Sequence, residues 1–274
     1  MPPLEFPGND QEYLRSVQYK DPTRLTARAD LHRLYSTATQ PWFAWVVAQI
    51  EWPEAADVLD IGCGPGWLWA EQAMHLPQRL RITLADLTQG MVEAAHQRVS
   101  ALQRFHLSAP QVADVQALPF DDESFDIVVA NHMLYHAPDT TLAAREIARV
   151  LRPDGVLLAT ANGPSHLREI WEIRAEVFGG TPTSAHIEAF GSETGHAPLE
   201  KSFSDVQWFA YTDEIHCPDP DAVVAFITSS PPAEHATSIQ LHELRVAVER
   251  RMVHGSCVIA KESGAFVARH PQSS

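Results

Sequence analysis

Through the middle of the chain, short apolar runs alternate with longer segments whose apolar residues recur three and four positions apart. That alternation is the pattern of β-α-β units joined into a parallel sheet. It predicts strands over residues 57–61 (DVLDI), 81–86, 111–115, 125–131 and 155–161. A helix from Trp67 to His75 follows the first strand and ends before Pro77, whose ring removes the amide that would continue it. A second helix is predicted over 90–105, where Met91, Ala94, Ala95, Val99 and Leu102 share a helical spacing. A third opens on Thr140 as a cap and ends near Pro153 and Gly155.

The flanks continue the mixed pattern. Residues 21–52 read as two helices separated near Ser36–Gln40, with Pro41 at the first position of the second. Residues 162–203 hold one helix and a loop rich in glycine and threonine, the expected insertion. A strand over 206–217, helices over 219–230 and 233–253 and a last strand over 264–270 complete the chain, and only the final PQSS is expected to be disordered.

Composition narrows the partners. With 274 residues, 45% of them hydrophobic, the chain suits a single globular domain. Its 20 basic against 35 acidic residues give a net charge of −15, which repels a phosphate backbone and an anionic membrane surface, so no nucleic-acid or membrane partner is expected. Cys63, Cys217 and Cys257 lie far apart in sequence without a CxxC pair, which argues against a thiolate zinc site and a disulfide framework. A reducing, cytoplasmic setting is expected, and no apolar run reaches the ~20 residues that span a bilayer.

The densest chemistry lies in VLDIGCGPGW, residues 58–67. A strand that ends in alternate glycines and feeds a helix brings bare backbone close to a ligand. The dinucleotide fingerprint is GxGxxG, whereas Gly62, Gly64 and Gly66 are spaced GxGxG. Asp60, just before the first glycine, would repel a pyrophosphate and attract an ammonium or sulfonium group. Asp86, at the end of the second strand, can accept hydrogen bonds from both hydroxyls of a ribose, and Asp114, with Val115 behind it, can accept one from an adenine amino group. Ribose, adenine and a positive charge together describe S-adenosylmethionine.

The segments VLDIGCGPG, LADLTQGMVEAA, ADVQALPFDDESFDIVVANHMLYHAPD and EIARVLRPDGVLLAT resemble class I S-adenosylmethionine-dependent methyltransferases, in the small-molecule branch that includes the ubiquinone and menaquinone biosynthesis enzymes. The resemblance covers about residues 56–162. It implies an α/β fold with a Rossmann-like, seven-stranded, mostly parallel sheet, a reversed last strand and an amino-terminal helical lid. One methyltransferase domain is expected over 1–274: a lid over 1–52, a cofactor-binding core over 53–162, a variable substrate-side insertion over 163–205 and sheet completion over 206–274. It further implies that Gly62, Gly64 and Gly66 pass under the methionine part, that Leu87 covers one face of the adenine, and that the Asn131 carbonyl reaches the ammonium.

His136, in LYHAPD after the fourth strand, stands where an imidazole could take a proton from an acceptor. Arg28, His32 and Tyr35 share a helical face that could close over the pocket, which adds Tyr35 as a catalytic candidate. His132 and His136 have the four-residue spacing of a metal pair, but the glutamate of HExxH is missing and no metal is expected. His186, His196 and Glu193 are too irregularly spaced to support one. FGSETGHAPLE, residues 190–200, could cover the substrate, and Trp67 could offer its ring to a sulfonium. The resulting expectation is methyl transfer to a small-molecule acceptor. An NAD-dependent oxidoreductase shares the glycines and Asp86, and a protein that binds S-adenosylmethionine without turnover shares the whole cofactor set.

Overall fold

The computed structural model describes residues 10–18 and 23–272. At the amino end α1 (Gln11–Tyr13) runs into a π-helical turn over Leu14–Gln18, and α2 (Thr23–Tyr35) and α3 (Trp42–Val47) follow. Then come β1 (Asp57–Ile61), α4 (Trp67–Gln72), β2 (Arg81–Asp86) and α5 (Gln89–Ser100). The two-residue strands β3 (His106–Leu107) and β4 (Gln111–Val112) precede β5 (Phe125–Asn131), α6 (Thr140–Val150) and β6 (Leu151–Asn162). Helices α7 (Arg168–Phe178), α8 (Ala185–Ala189) and α9 (His196–Glu200) lead to β7 (Phe203–Cys217). Finally α10 (Pro220–Thr228) and α11 (Ser238–Glu249) lead to β8 (Met252–Val253) and β9 (Ser256–Pro271).

These strands form one sheet in the order β3-β2-β1-β5-β6-β9-β7, with β4 also on β2 and β8 on β9. Pairing is parallel from β3 through β6, and β9 runs antiparallel to both β6 and β7. The reversed last strand is therefore β9, inserted between β6 and β7. The sheet holds nine strands instead of seven because β3 and β4 share one place beside β2, and β8 only extends the β9 edge.

Alternate residues of each strand go to opposite faces. Leu59, Ile61, Val128 and Ala130 pack with Ile147 of α6 and Phe266 of β9. Val58, Ile127 and Val129 pack on the other side with Val46 of α3, Trp69 of α4 and Ala95 of α5. A third cluster joins α7, α10 and α11 to the far half of the β7–β9 ribbon. There Cys217 and Cys257, distant in sequence, are register partners across the ribbon.

Several predicted elements change length. Helix α4 stops at Gln72 and α5 at Ser100, while the α6 cap is Asp139, whose carboxylate accepts from the amides of Thr141 and Leu142, instead of Thr140. Pro41 is the residue before α3 and not its first. The third strand ends at Val112, not at 115, because the Asp114 carboxylate takes the Gln116 amide at 2.9 Å and closes a turn. Three helices occupy the region expected to hold one. Strand β9 begins eight residues earlier than the predicted 264, at Ser256, since the charge of Lys261 is met across the ribbon by Asp213 at 2.8 Å. Of the tail expected to be disordered, Ser273 and Ser274 lie outside the described residues, while Pro271 closes β9.

The two ends of the parallel strands differ. At their amino ends Arg81 binds Asp57 at 2.5 Å, and Arg152 binds Asp57 at 3.0 Å and Asp126 at 2.7 Å. The Asp126 carboxylate also accepts the Asp57 amide at 2.7 Å, so β1, β2, β5 and β6 are stapled together there. The carboxyl ends are left to open into a cavity. Gly66 fixes how α4 leaves β1: it has φ 75°, and a Cβ there would lie 3.1 Å from the backbone of Ala95 in α5. Gly66→Ala is expected to cost about 1–3 kcal/mol in urea unfolding, and an unchanged midpoint would contradict this packing role.

Candidate active site

Strand order reverses direction between β1 and β5, and the crevice outside the carboxyl ends at such a switch point is where open α/β sheets bind ligands. Here it is a cavity of about 1040 Å³. The glycine loop supplies one wall. Gly62 admits the Met133 side chain, since a Cβ would sit 2.6 Å from it. At Gly64 a Cβ would meet only Leu25, at 3.7 Å, so bare backbone faces the cavity. Gly66 is not part of the lining, contrary to the expectation for all three glycines: its smallness serves α5.

Asp86 closes the loop from the next strand. Its carboxylate accepts the Gly64 amide at 3.0 Å and the Thr88 amide at 3.1 Å, while Thr88 caps α5. Burial pushes the Asp86 pKa up, and the Gly64 and Thr88 hydrogen bonds oppose that shift. Asp114 Oδ1 accepts from the backbone and side-chain amides of Gln116, and its Oδ2 takes no hydrogen bond among the described residues. Leu87, Asp114 and Val115 all line the cavity. Asn131 lines it as well, its Oδ1 accepting from the Thr160 hydroxyl at 2.8 Å. Thr160 Oγ1 in turn accepts the His132 amide at 2.9 Å, which holds His132 at φ 51°, a left-handed conformation rare for a residue with a side chain.

Asp60 is 2% exposed and accepts the Trp69 indole N–H at 2.7 Å. Burial raises its pKa to about 7 against the pull of the Trp69 bond, and the charge of Asp86 raises it further. Three carboxylates in one lobe suit a ligand that brings hydroxyls, an amino group and positive charge, and disfavour a pyrophosphate.

Much of the rest of the wall comes from residues that the sequence pattern left unassigned, joined by His32, whose helical face with Arg28 is expected to close over the pocket. Lys261 and Ser263 of β9, His166, Asn162 and Trp42 line the cavity together with His32 of α2. The His32 and His166 rings stack at 5.8 Å, and Trp42 stacks on His132 at 5.1 Å. A lysine and a serine at alternate positions of an apolar strand were the available signal. His136 lies in the turn after β5, edge-on to the rings of Tyr135 at 4.6 Å and His186 at 4.9 Å. Tyr35 is not among the cavity residues: at the last position of α2 it packs with the third cluster, beside Cys217 and Asp219. Burial raises its pKa.

Residues 190–200 do not cover the cavity either, because Phe190 and Leu199 are fully buried in the core, while residues of the 179–188 stretch line it. Among the described residues no group of three His, Cys, Asp or Glu side chains gathers to hold a metal ion.

The state of Asp60 has a consequence for stability. Its folded pKa of about 7 lies above the unfolded carboxylate value, so the folded chain holds a proton that the unfolded chain has released between those values. Stability therefore falls as pH rises from about 4 to about 7 on account of this group. Asp60→Asn keeps an acceptor for Trp69 and is expected to match the parent near pH 4 and to exceed its Tm by about 2–4 °C at pH 8. An equal or lower Tm at pH 8 would contradict this.

Residues 59–159 match the family described as Methyltransferase domain. Among curated proteins, the chain is 32% identical to a malonyl-[acyl-carrier protein] O-methyltransferase of Halorhodospira halophila over 148 residues, 54% of this chain and 48% of that protein. It is 31% identical to a ubiquinone/menaquinone biosynthesis C-methyltransferase of Geotalea uraniireducens over 126 residues, 46% of this chain and 54% of that one. The chain thus spans about half the length of these relatives. Among solved structures, the YcgJ protein of Bacillus subtilis superposes with TM-score 0.61 at 18% identity, over 84% of this chain and 98% of that one. A Haemonchus contortus phosphoethanolamine N-methyltransferase 2, solved with S-adenosylhomocysteine, does so with TM-score 0.57 at 19% identity, over 97% of this chain and 60% of that one. Cavity, sheet order and these likenesses agree: residues 59–159 are a methyltransferase domain of the class I S-adenosylmethionine-dependent kind, set in a Rossmann-like sheet.

Proposed function

We propose that the chain transfers a methyl group from S-adenosylmethionine to a small-molecule acceptor. The observation that carries this reading is the cavity wall that Asp60, Asp86 and Asp114 share with the bare backbone of Gly64. S-adenosylmethionine supplies a methyl group activated by its attachment to a sulfonium. In this reading Asp86 accepts the ribose hydroxyls, Asp114 and Val115 meet the adenine, and Leu87 covers one of its faces. Gly62 and Gly64 run beneath the methionine arm, and Asp60 and the Asn131 carbonyl face its positive end.

The acceptor occupies the other half of the same cavity. Helix α2 supplies Arg28 and His32 to the wall, which helps to exclude water and to hold the acceptor in one orientation. The His136 imidazole, which also lines the cavity, takes a proton from an acceptor that must lose one. Tyr35, outside the wall, is given no such role. No helix among the described residues is long and apolar enough to cross a membrane. The oxidoreductase reading is not favoured, since the three carboxylates oppose a pyrophosphate and the curated relatives carry methyltransferase names.

Incubation with methyl-labelled S-adenosylmethionine and a pool of hydroxyl, amine, thiol and carboxylate acceptors is expected to move label into a low-mass product. Retention of bound cofactor with no transfer to any acceptor would favour binding without turnover. Asp86→Ala is expected to weaken S-adenosylhomocysteine binding about tenfold or more in calorimetry, through the lost carboxylate hydrogen bonds. His136→Ala is expected to slow transfer by about 10²–10⁴-fold while that affinity stays unchanged. Parallel loss of both would make His136 a residue of the turn and not a base.

A further inference from the structure

The acceptor half of the cavity has an electrostatic character opposite to that of the glycine-loop half. Lys261 lines it, only 6% exposed, while its counterion Asp213, in contact at 2.8 Å, stands behind the wall and is not part of the lining. Around Lys261 stand His32, His132 and His166. The Nδ1 atoms of His32 and His132 are buried and have no hydrogen-bond partner among the described residues. His166 Nδ1 lies 3.3 Å from the Ser263 hydroxyl, which donates to Asn162 Oδ1 at 2.8 Å.

Every one of these rings sits in positive potential. Burial, then the charge of Lys261, lowers the His32 pKa to about 3 and that of His132 to about 4. Burial, then the two neighbouring rings and Lys261, lowers that of His166 well below the usual histidine value. Asp213 opposes this only at His32, where it ranks after Lys261 and His132. Arg28 adds to the same potential at both His32 and His186, and His186 carries a further buried, unpartnered ring nitrogen. Among the acids on the wall away from the glycine loop, Asp30 of α2 pairs with Arg33 at 2.9 Å, and Glu188 of α8 is exposed and takes the Thr183 hydroxyl at 3.4 Å. His166 spends its Nδ1–H on the Ser263 hydroxyl, whereas neutral His32 and His132 can each turn an N–H inward, so the half-cavity offers an ammonium and two imidazole donors without a matching internal acceptor.

We infer that this half-cavity binds the acceptor through an anionic oxygen group, a carboxylate or a phosphate, set against Lys261 with His32 and His132 as neutral hydrogen-bond donors around it. The inference rests on the methyltransferase reading for what enters the cavity, but not for the preference itself. A cationic amine would meet the field of Lys261 and Arg28, and a neutral amide would leave the ammonium without a second counter-charge. Because the chain as a whole carries −15, the attraction is local to this wall and does not come from long-range steering.

The test is calorimetric titration of the protein saturated with S-adenosylhomocysteine, using hexanoate, hexyl phosphate and hexanamide as matched probes. At least one anion is expected to bind about tenfold or more tightly than the amide, and comparison of the two anions separates carboxylate from phosphate. The double variant Lys261→Met/Asp213→Asn, which leaves no unpaired charge, is expected to lose that preference while holding S-adenosylhomocysteine as before. His32→Phe, which keeps the ring stack and removes the donor, should weaken the anion about threefold or more and gives a second reading if the double variant does not fold. Equal binding of hexanamide, binding of no probe, or a preference that survives both substitutions would overturn the inference. Failure of S-adenosylhomocysteine to bind would instead sink the methyltransferase reading, and titration of the three probes without it would still decide the anion preference.

Discussion

The buried ion pair between Lys261 and Asp213 is the constraint on which the site depends. Both side chains are taken out of water, at 6% and 0% exposure, a costly arrangement unless every polar atom finds a partner. Asp213 meets that condition by accepting the Ser36 hydroxyl at 2.5 Å and the Thr37 amide at 3.1 Å as well as the ammonium. Although burial pushes its pKa up, these bonds hold the carboxyl below its ordinary value. Lys261 lies 5.2 Å over the Tyr211 ring, and the Tyr211 hydroxyl donates to the Gln40 carbonyl at 2.8 Å. One pair thereby fixes the register of β7 on β9, ties the segment between α2 and α3 to the sheet edge, and presents a positive charge to the cavity. Apolar residues of similar size would hold the strands at least as firmly but would supply no such charge.

Around that pair the protein divides its work between the two ends of its strands. The amino ends are closed by Arg81 and Arg152 on Asp57 and Asp126, in a position that touches no ligand. The carboxyl ends are kept apart by the strand reversal between β1 and β5, and the polar groups of the crevice divide by charge: carboxylates over β1 and β2, imidazoles and an ammonium over β5, β6 and β9. A donor with a positive centre and an acceptor with a negative one would each find their complement, side by side and sheltered by α2.

The cofactor half was legible in the sequence because its signals are local. A strand, a glycine turn and an aspartate at a strand end follow one another within a few residues, so Asp60, Gly62, Gly64, Asp86 and Asp114, all of which line the cavity, stand out before any tertiary contact is known. Gly66 was misread for the same reason: alternate spacing does not reveal which glycine faces a ligand and which faces α5. The acceptor half was mostly hidden because it is assembled from distant segments: the helical face of α2 pointed to His32, but His132, His166 and Lys261 meet it only when the sheet closes. Lys261 lies outside the predicted last strand, and in β9 its charge is met by Asp213, 48 residues away. Tyr35 shows the converse, a helical spacing that is correct while the far end of the helix has already passed the cavity.

The central claim is that the glycine loop and its three carboxylates hold S-adenosylmethionine. The most direct measurement is titration of the purified chain with S-adenosylhomocysteine and, separately, with NADH, followed by calorimetry. The account predicts saturable binding of one S-adenosylhomocysteine per chain and no heat from NADH. Binding of NADH, or of neither compound, would contradict it.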